Sequence, residues 1–215
     1  MTEKLRITEI FHSLQGEART VGKPTVFVRL TGCPLRCTYC DTAYAFSGGM
    51  LLAIEEILTT VASWQPRYVC VTGGEPLAQK ACWPLLAALC DAGYEVSLET
   101  SGAIDVTGVD SRVSKVLDLK TPASGEMPRN LYENLSLLLP HDQVKFVICD
   151  KEDYEWAKER LHEFKLNDKV GEVLFSPSHE SLEPAQLADW ILQDRLPVRL
   201  QIQLHKYLWA DAAGR

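Results

Sequence analysis

Residues 31–42 read TGCPLRCTYCDT and place Cys33, Cys37 and Cys40 in a C-x3-C-x2-C pattern. Clustered thiolates ligate zinc or iron–sulfur clusters, and the number of ligands separates the two. A structural zinc site takes four ligands, usually as two pairs. This chain offers no second CxxC and no close His pair, His12 being the nearest upstream candidate. A [4Fe–4S] cluster held by three thiolates instead leaves one iron open to a small molecule, as a catalytic cluster requires. On ligand count alone, an open catalytic cluster, a zinc site and redox or incidental thiols all stay open. Cys70, Cys82, Cys90 and Cys149 stand singly among apolar residues, where a free cysteine acts as a small buried hydrophobe.

Three further stretches have residue types suited to chemistry. Thr72-Gly73-Gly74-Glu75-Pro76 directly follows the apolar run YVCV. Adjacent glycines at a strand end allow close backbone approach and positive φ, so the loop can wrap a ligand or simply make a βα turn. The run FHSLQGE (11–17) brings an amide, a glycine and a carboxylate together after an apolar start, as a small-molecule pocket or a polar hairpin would. Arg29 sits within VFVRL, and its guanidinium can clamp a carboxylate through two parallel bonds.

Such groups need a scaffold, and the rhythm of the chain describes one. Runs rich in β-branched residues fall at about 3–11, 24–31, 66–72, 94–100, 113–119, 143–149, 170–176 and 197–203. Helical stretches lie between several of them, at 51–64, 79–93, 151–164 and 184–194. Tyr154, Ala157, Leu161 and Phe164 share one face of the third, and Gly93 is placed to cap the second. Alternating strands and helices imply a mostly parallel sheet. A closed eight-fold barrel takes about 250 residues, so the expected fold is an incomplete, TIM-like α/β barrel in one domain, 1–215. Sites in such sheets gather at the C-terminal ends of strands. That rule makes suspects of the endings TGC, TGGEP, ETSG, DLKTP and SPSHE.

The bulk composition fits a folded chain of this kind. It is 46% hydrophobic and 24% charged, with a formal net charge of −7, which argues against a broad grip on nucleic acid or an anionic membrane. No run of about 18 apolar residues occurs, and MTEKLRITEI lacks the apolar core of a signal peptide. The expected compartment is the cytoplasm, where the seven cysteines stay reduced and form no disulfide framework.

The cysteine motif, with Tyr39 before its last member, resembles that of the radical S-adenosylmethionine superfamily, and GGEP resembles the segment that meets the methionine amino group there. That resemblance implies an α/β barrel, a [4Fe–4S] cluster on Cys33, Cys37 and Cys40, and S-adenosylmethionine. More narrowly, IFHSLQGEARTVGKPTVFVRLTGCPLRCTYCDT and the tail QIQLHKYLWA are similar to the 7-carboxy-7-deazaguanine synthases. One departure is Ala18, where that family more often has glycine.

This narrower resemblance implies ring contraction of 6-carboxy-5,6,7,8-tetrahydropterin with loss of ammonia, on the path to queuosine. It implies Mg2+ on Thr42, and substrate contacts from Leu14, Gln15, Gly16, Glu17, Arg29, Thr72 and Arg215. Gly73, Gly74, Glu75, Ser101, Asp118, Lys120, Gln143, Val144, Lys145 and Phe146 are implied to line the cofactor. A homodimer and a flavodoxin-like electron donor are implied as partners. An activase that makes a glycyl radical on a partner protein would share the cluster motif, and a non-catalytic metal-binding module is the reading from another class.

Overall fold

The computed structural model describes residues 3–179, 181–210 and 214. Its strands are β1 (Lys4–Leu14), β2 (Pro24–Leu30), β3 (Met50–Ala53), β4 (Tyr68–Gly73), β5 (Glu95–Thr100), β6 (Ser114–Asp118), β7 (Gln143–Ile148), β8 (Glu172–Pro177) and β9 (Arg199–Leu200). The helices are α1 (Ile54–Ala62), α2 (Cys82–Asp91), α3 (Lys151–Glu163), α4 (Pro184–Asp194) and α5 (Leu204–Trp209). All strands join one nine-stranded sheet in the order β3-β1-β2-β4-β5-β6-β7-β8-β9. From β2 to β9 every pairing is parallel, while β1 runs antiparallel to both its neighbours. The first and last strands in this order do not pair, so the sheet is an unclosed α/β barrel.

Period-two alternation builds two layers from one set of strands. Val26, Val28, Val69, Val71, Leu98, Val144, Phe146, Val173 and Phe175 point outward and form the main core, which the helices cover with residues such as Leu85, Leu89, Tyr154 and Leu187. The other face looks into the barrel, where Ala18, Val116 and Leu174 form a small apolar floor. Above that floor the inward positions turn polar. Arg29 lies beside Thr72 in the register, Asp118 beside Lys145 and Val147 beside Ser176.

Local signals set several boundaries. Asp150 caps α3 by accepting the Asp153 N–H at 2.9 Å. Gly93, with φ of 88°, follows α2 in the left-handed region. The helix expected over 51–64 starts later, because Met50–Ala53 pairs with Lys4–Ile7 as an edge strand. No α-helix intervenes between β5 and β6 or between β6 and β7; the second connection instead carries 3-10 turns at Pro122–Ser124, Met127–Arg129 and Tyr132–Ser136.

Two irregularities matter for the site. In β1, Ile7 pairs with Leu30 but Glu9 pairs with Arg29, so Thr8 is an extra residue in a β-bulge. Before the bulge, Leu5 and Ile7 face the main core; after it, Phe11 faces the barrel interior with Phe27. The second is Ala18, which takes φ of 60° and is buried. The turn that glycine would favour is therefore kept, at a strain of about 1–2 kcal/mol.

Candidate active site

The inward polar layer surrounds a cavity of about 860 Å³ at the C-terminal ends of the strands, near the upper end of the usual range of about 300–1,000 Å³ for ligand clefts. Cys33, Cys37 and Cys40 line it, and all three are free and partly exposed. Burial pushes the Cys33 and Cys37 thiols above the ordinary cysteine value. Among the described residues no three His, Cys, Asp or Glu groups converge on one point as a single-ion site would need. A cubane instead asks each thiolate to reach a separate iron, so three thiols around an open cavity fit the cluster. Tyr39 also lines this cavity, and its buried hydroxyl has no hydrogen-bond partner within the protein.

The GGEP turn holds the cluster loop in place. A Cβ on Gly74 would lie 2.3 Å from the Gly32 carbonyl oxygen and 2.9 Å from Cys33 Cβ. Gly73, at φ of 156°, lies against Leu30 in the same way. The doublet thus lets β4 meet the backbone that leads into the cysteines. Both glycines also line the cavity.

Glu75 behaves differently from the expected cofactor ligand. Its side chain is fully buried and turned away from the cavity. The carboxylate accepts from Leu77 N at 2.9 Å, Ser101 N at 2.6 Å, Ser101 Oγ at 2.5 Å and Thr100 Oγ1 at 2.9 Å. Burial raises its pKa above the ordinary glutamate value even against these donors. It is a clamp that ties the GGEP turn to the end of β5.

Charges inside the cavity are paired. Lys145 bonds Glu17, and Lys120 bonds Asp118 at 2.7 Å. Burial alone would lower the Lys145 ammonium, but Glu17 and Asp118 outweigh it and hold it above the ordinary lysine value. Gln203 donates to Glu17 at 2.9 Å and to Asp41 at 3.2 Å, tying the C-terminal segment to both loops. Thr42 Oγ1 donates to Asp41 Oδ1 at 2.7 Å, which gathers hard oxygen donors beside the cysteines. Arg29 lines the cavity and bonds Glu9 through Nε at 2.7 Å.

Gln15 is held at the floor of this ring. Its backbone N–H and C=O are taken by Lys23 O and Gly22 N, while its side chain donates to Glu99 at 3.3 Å and accepts from Glu17 N at 3.3 Å. Gly16 lies under His205, whose Nδ1 would be 2.1 Å from a Cβ there. Leu204 N donates to Gly16 O at 3.0 Å. The FHSLQGE run and the QIQLHKYLWA tail therefore close the gap in the barrel together.

Of the expected site residues, Leu14, Gln15, Gly16, Glu17, Arg29, Thr42, Thr72, Gly73, Gly74, Ser101, Asp118, Lys120 and Lys145 all line the cavity. Four others do not: Glu75, described above, and three residues of β7. Val144 and Phe146 are fully buried in the outer core, on the opposite face from Lys145. Gln143 lies at the start of β7 and lines only a small void below the floor, with its Oε1 unpartnered. Arg215 lies outside the described residues. Glu99 was not foreseen: it lines the cavity and accepts from Thr72 Oγ1 at 2.8 Å as well as from Gln15. Ser176, Pro177, Ser178 and His179 at the end of β8 also line the wall. The strand endings ETSG and SPSHE carried that signal.

The comparisons with known proteins agree with this geometry. Residues 27–168 match the Radical SAM superfamily model. A 7-carboxy-7-deazaguanine synthase of Chlorobaculum tepidum is 45% identical over 98% of this chain and 97% of its own. One from Koribacter versatilis is 44% identical over 95% of this chain and 97% of its own. The crystal structure of QueE from Escherichia coli superposes with a TM-score of 0.76 at 24% identity, covering 93% of this chain and 94% of that one; this likeness bears on the fold. Family membership brings with it a [4Fe–4S] cluster and S-adenosylmethionine, which the three thiols and the GGEP turn are placed to hold. Identity sustained along the whole chain, together with the cysteine-lined cavity, shows that this chain is a radical SAM enzyme of the 7-carboxy-7-deazaguanine synthase family.

Proposed function

We propose that the enzyme converts 6-carboxy-5,6,7,8-tetrahydropterin to 7-carboxy-7-deazaguanine with release of ammonia, a step in queuosine biosynthesis. The observation that carries this reading is the joining, in one cavity, of the three cluster thiols with the Arg29 guanidinium and the Gln15 amide. When bound, the cluster and S-adenosylmethionine supply a 5′-deoxyadenosyl radical that can take hydrogen from C6.

The residues of the chain do the rest. Arg29 receives the substrate carboxylate, as a guanidinium fork does well. The Gln15 amide, able to donate and accept, reads the pyrimidine edge, with Leu14, Gly16 and Glu17 around it and Thr72 at its side. Lys145 balances Glu17, so a charged pterin meets no uncompensated carboxylate there. Gly73, Gly74, Ser101, Asp118 and Lys120 flank S-adenosylmethionine at the strand ends, and Gln203 and His205 roof the substrate loop. Thr42, with Asp41 behind it, suits Mg2+, which is hard, keeps water and takes few protein oxygens besides those of the substrate. The whole chain, 1–215, acts as one unit in the cytoplasm and as a homodimer, and a flavodoxin-like protein supplies the electron.

The test is anaerobic turnover with reductant, Mg2+ and S-adenosylmethionine. Deazaguanine product is expected; deoxyadenosine formed only with some other substrate would reject the reading. Thr42→Ala should weaken the Mg2+ dependence, and an unchanged Mg2+ response would remove Thr42 from the metal's site.

A further inference from the structure

Arg29 does not meet the cavity alone, and the residue that holds it, Glu9, is brought there by a backbone irregularity. In a regular ladder, Ile7 opposite Leu30 would put Thr8 opposite Arg29, and Glu9 would follow Leu5 and Ile7 into the outer core. The extra residue at Thr8 shifts the register. It reverses the face of everything after it, as a one-residue slip must. Glu9 then stands directly across from Arg29, and Thr8 is held by its hydroxyl bond to Thr31 at 2.7 Å.

Glu9 takes the Nε edge of the guanidinium at 2.7 Å, and the same carboxylate oxygen accepts from Tyr44 OH at 2.7 Å. The side chains of Arg29 and Glu9 are 16% and 23% exposed, so bulk water does not substitute freely for either partner. Phe11 and Tyr44 pack around the guanidinium, with ring centres 5.7 and 5.9 Å from Arg29 Cζ. With Nε engaged, the two terminal nitrogens remain available to a ligand in the cavity that Arg29 lines. Tyr44 belongs to the 3-10 turn Ala43–Phe46, immediately after Thr42. One oxygen of Glu9 therefore joins the anion-binding arginine to the loop that follows the cysteines.

We propose that Glu9, aimed by the bulge at Thr8, is the positioning residue that sets the terminal NH2 edge of Arg29 for a ligand carboxylate, with Tyr44 as its second anchor. This deepens the substrate reading above and rests on it for the identity of the carboxylate. Without Glu9 the arginine keeps its charge but loses its fixed edge. Selection for a carboxylated ligand then falls, while affinity for the ring alone does not.

Binding of 6-carboxypterin and of pterin to the cluster-loaded enzyme, measured by calorimetry for wild type, Glu9→Gln, Glu9→Ala and Tyr44→Phe, tests this. Wild type is expected to prefer the carboxylated ring, Glu9→Ala to lose that preference by about tenfold, about 1.4 kcal/mol, and Tyr44→Phe to lose less. Glu9→Gln, which still accepts from Nε, should retain most of it, and pterin affinity should stay within twofold throughout. Equal loss of affinity for both ligands would mean a merely structural role and overturn the proposal. So would full preference in Glu9→Ala, or no preference in wild type. Wild-type turnover is scored separately: preference present and Glu9-dependent without deazaguanine formation supports the positioning role while rejecting the substrate reading.

Discussion

Glu75→Gln separates the clamp role of this residue from the cofactor contact that its motif suggests. The substitution keeps shape and removes one hydrogen-bond acceptor. The Thr100 and Ser101 hydroxyls can rotate and accept from the new NH2 group, but two backbone N–H groups cannot adapt. Leu77 N is held by Oε1 and Ser101 N by Oε2, so whichever way the amide is turned, one of them faces another donor. An unsatisfied buried N–H costs about 1–3 kcal/mol, and the remaining bonds lose their charge assistance. Against this, removing a fully buried charge recovers part of the desolvation that holds the Glu75 pKa up. The net expectation is a loss of about 2–3 kcal/mol, which for a chain of this length lowers Tm by roughly 4–12 °C. Thermal and urea unfolding of the cluster-free protein measure the loss, and S-adenosylmethionine binding should weaken with it as the turn loosens. Stability within about 0.5 kcal/mol of wild type, with cofactor binding selectively lost, would show that Glu75 serves the ligand directly and that the clamp argument is wrong.

Other expectations follow from the same geometry. Cys37→Ala should yield protein without a [4Fe–4S] cluster and without turnover; full iron content would contradict the three-thiol site. Ala18→Gly relieves about 1–2 kcal/mol of left-handed strain, but it loses a buried methyl worth about 0.8 kcal/mol and adds unfolded-state entropy of about 0.4–1 kcal/mol. Its unfolding midpoint should therefore barely move, and a change above about 2 kcal/mol in either direction would mean the turn is not built as described. Lys145→Met leaves Glu17 beside Asp41 without its cation; the pair is 14% and 11% exposed. A loss of about 3 kcal/mol in urea unfolding is expected, with part of it restored by adding Glu17→Gln; no restoration would deny the pairing.

The site was legible where one residue type at fixed spacing settles the chemistry, and illegible where the third dimension decides. Three thiols without a fourth pointed to an open cluster, and the polar strand endings pointed to the correct end of the barrel. Both glycines of GGEP line the cavity, while its glutamate bonds Thr100 and Ser101; nothing in the linear order says that these residues meet. Gln143, Val144, Lys145 and Phe146 were read as one block, although a strand sends alternate residues to opposite faces, and only Lys145 reaches the cavity. The bulge at Thr8 is likewise hidden, because a regular alternation through β1 would place Glu9 with Ile7 and not with Phe11. The helix expected over 51–64 loses its first three residues to the strand Met50–Ala53, whose pairing partner lies more than 40 residues away, where local propensity has no say.

In the proposed reaction the pterin C6–H lies within reach of the adenosyl radical in the cysteine-lined cavity. Turnover of C6-deuterated 6-carboxytetrahydropterin, followed by mass spectrometry, tests it most directly. The expected result is deazaguanine product with deuterium appearing in S-adenosylmethionine or 5′-deoxyadenosine. Product formed while those molecules stay free of deuterium would contradict it.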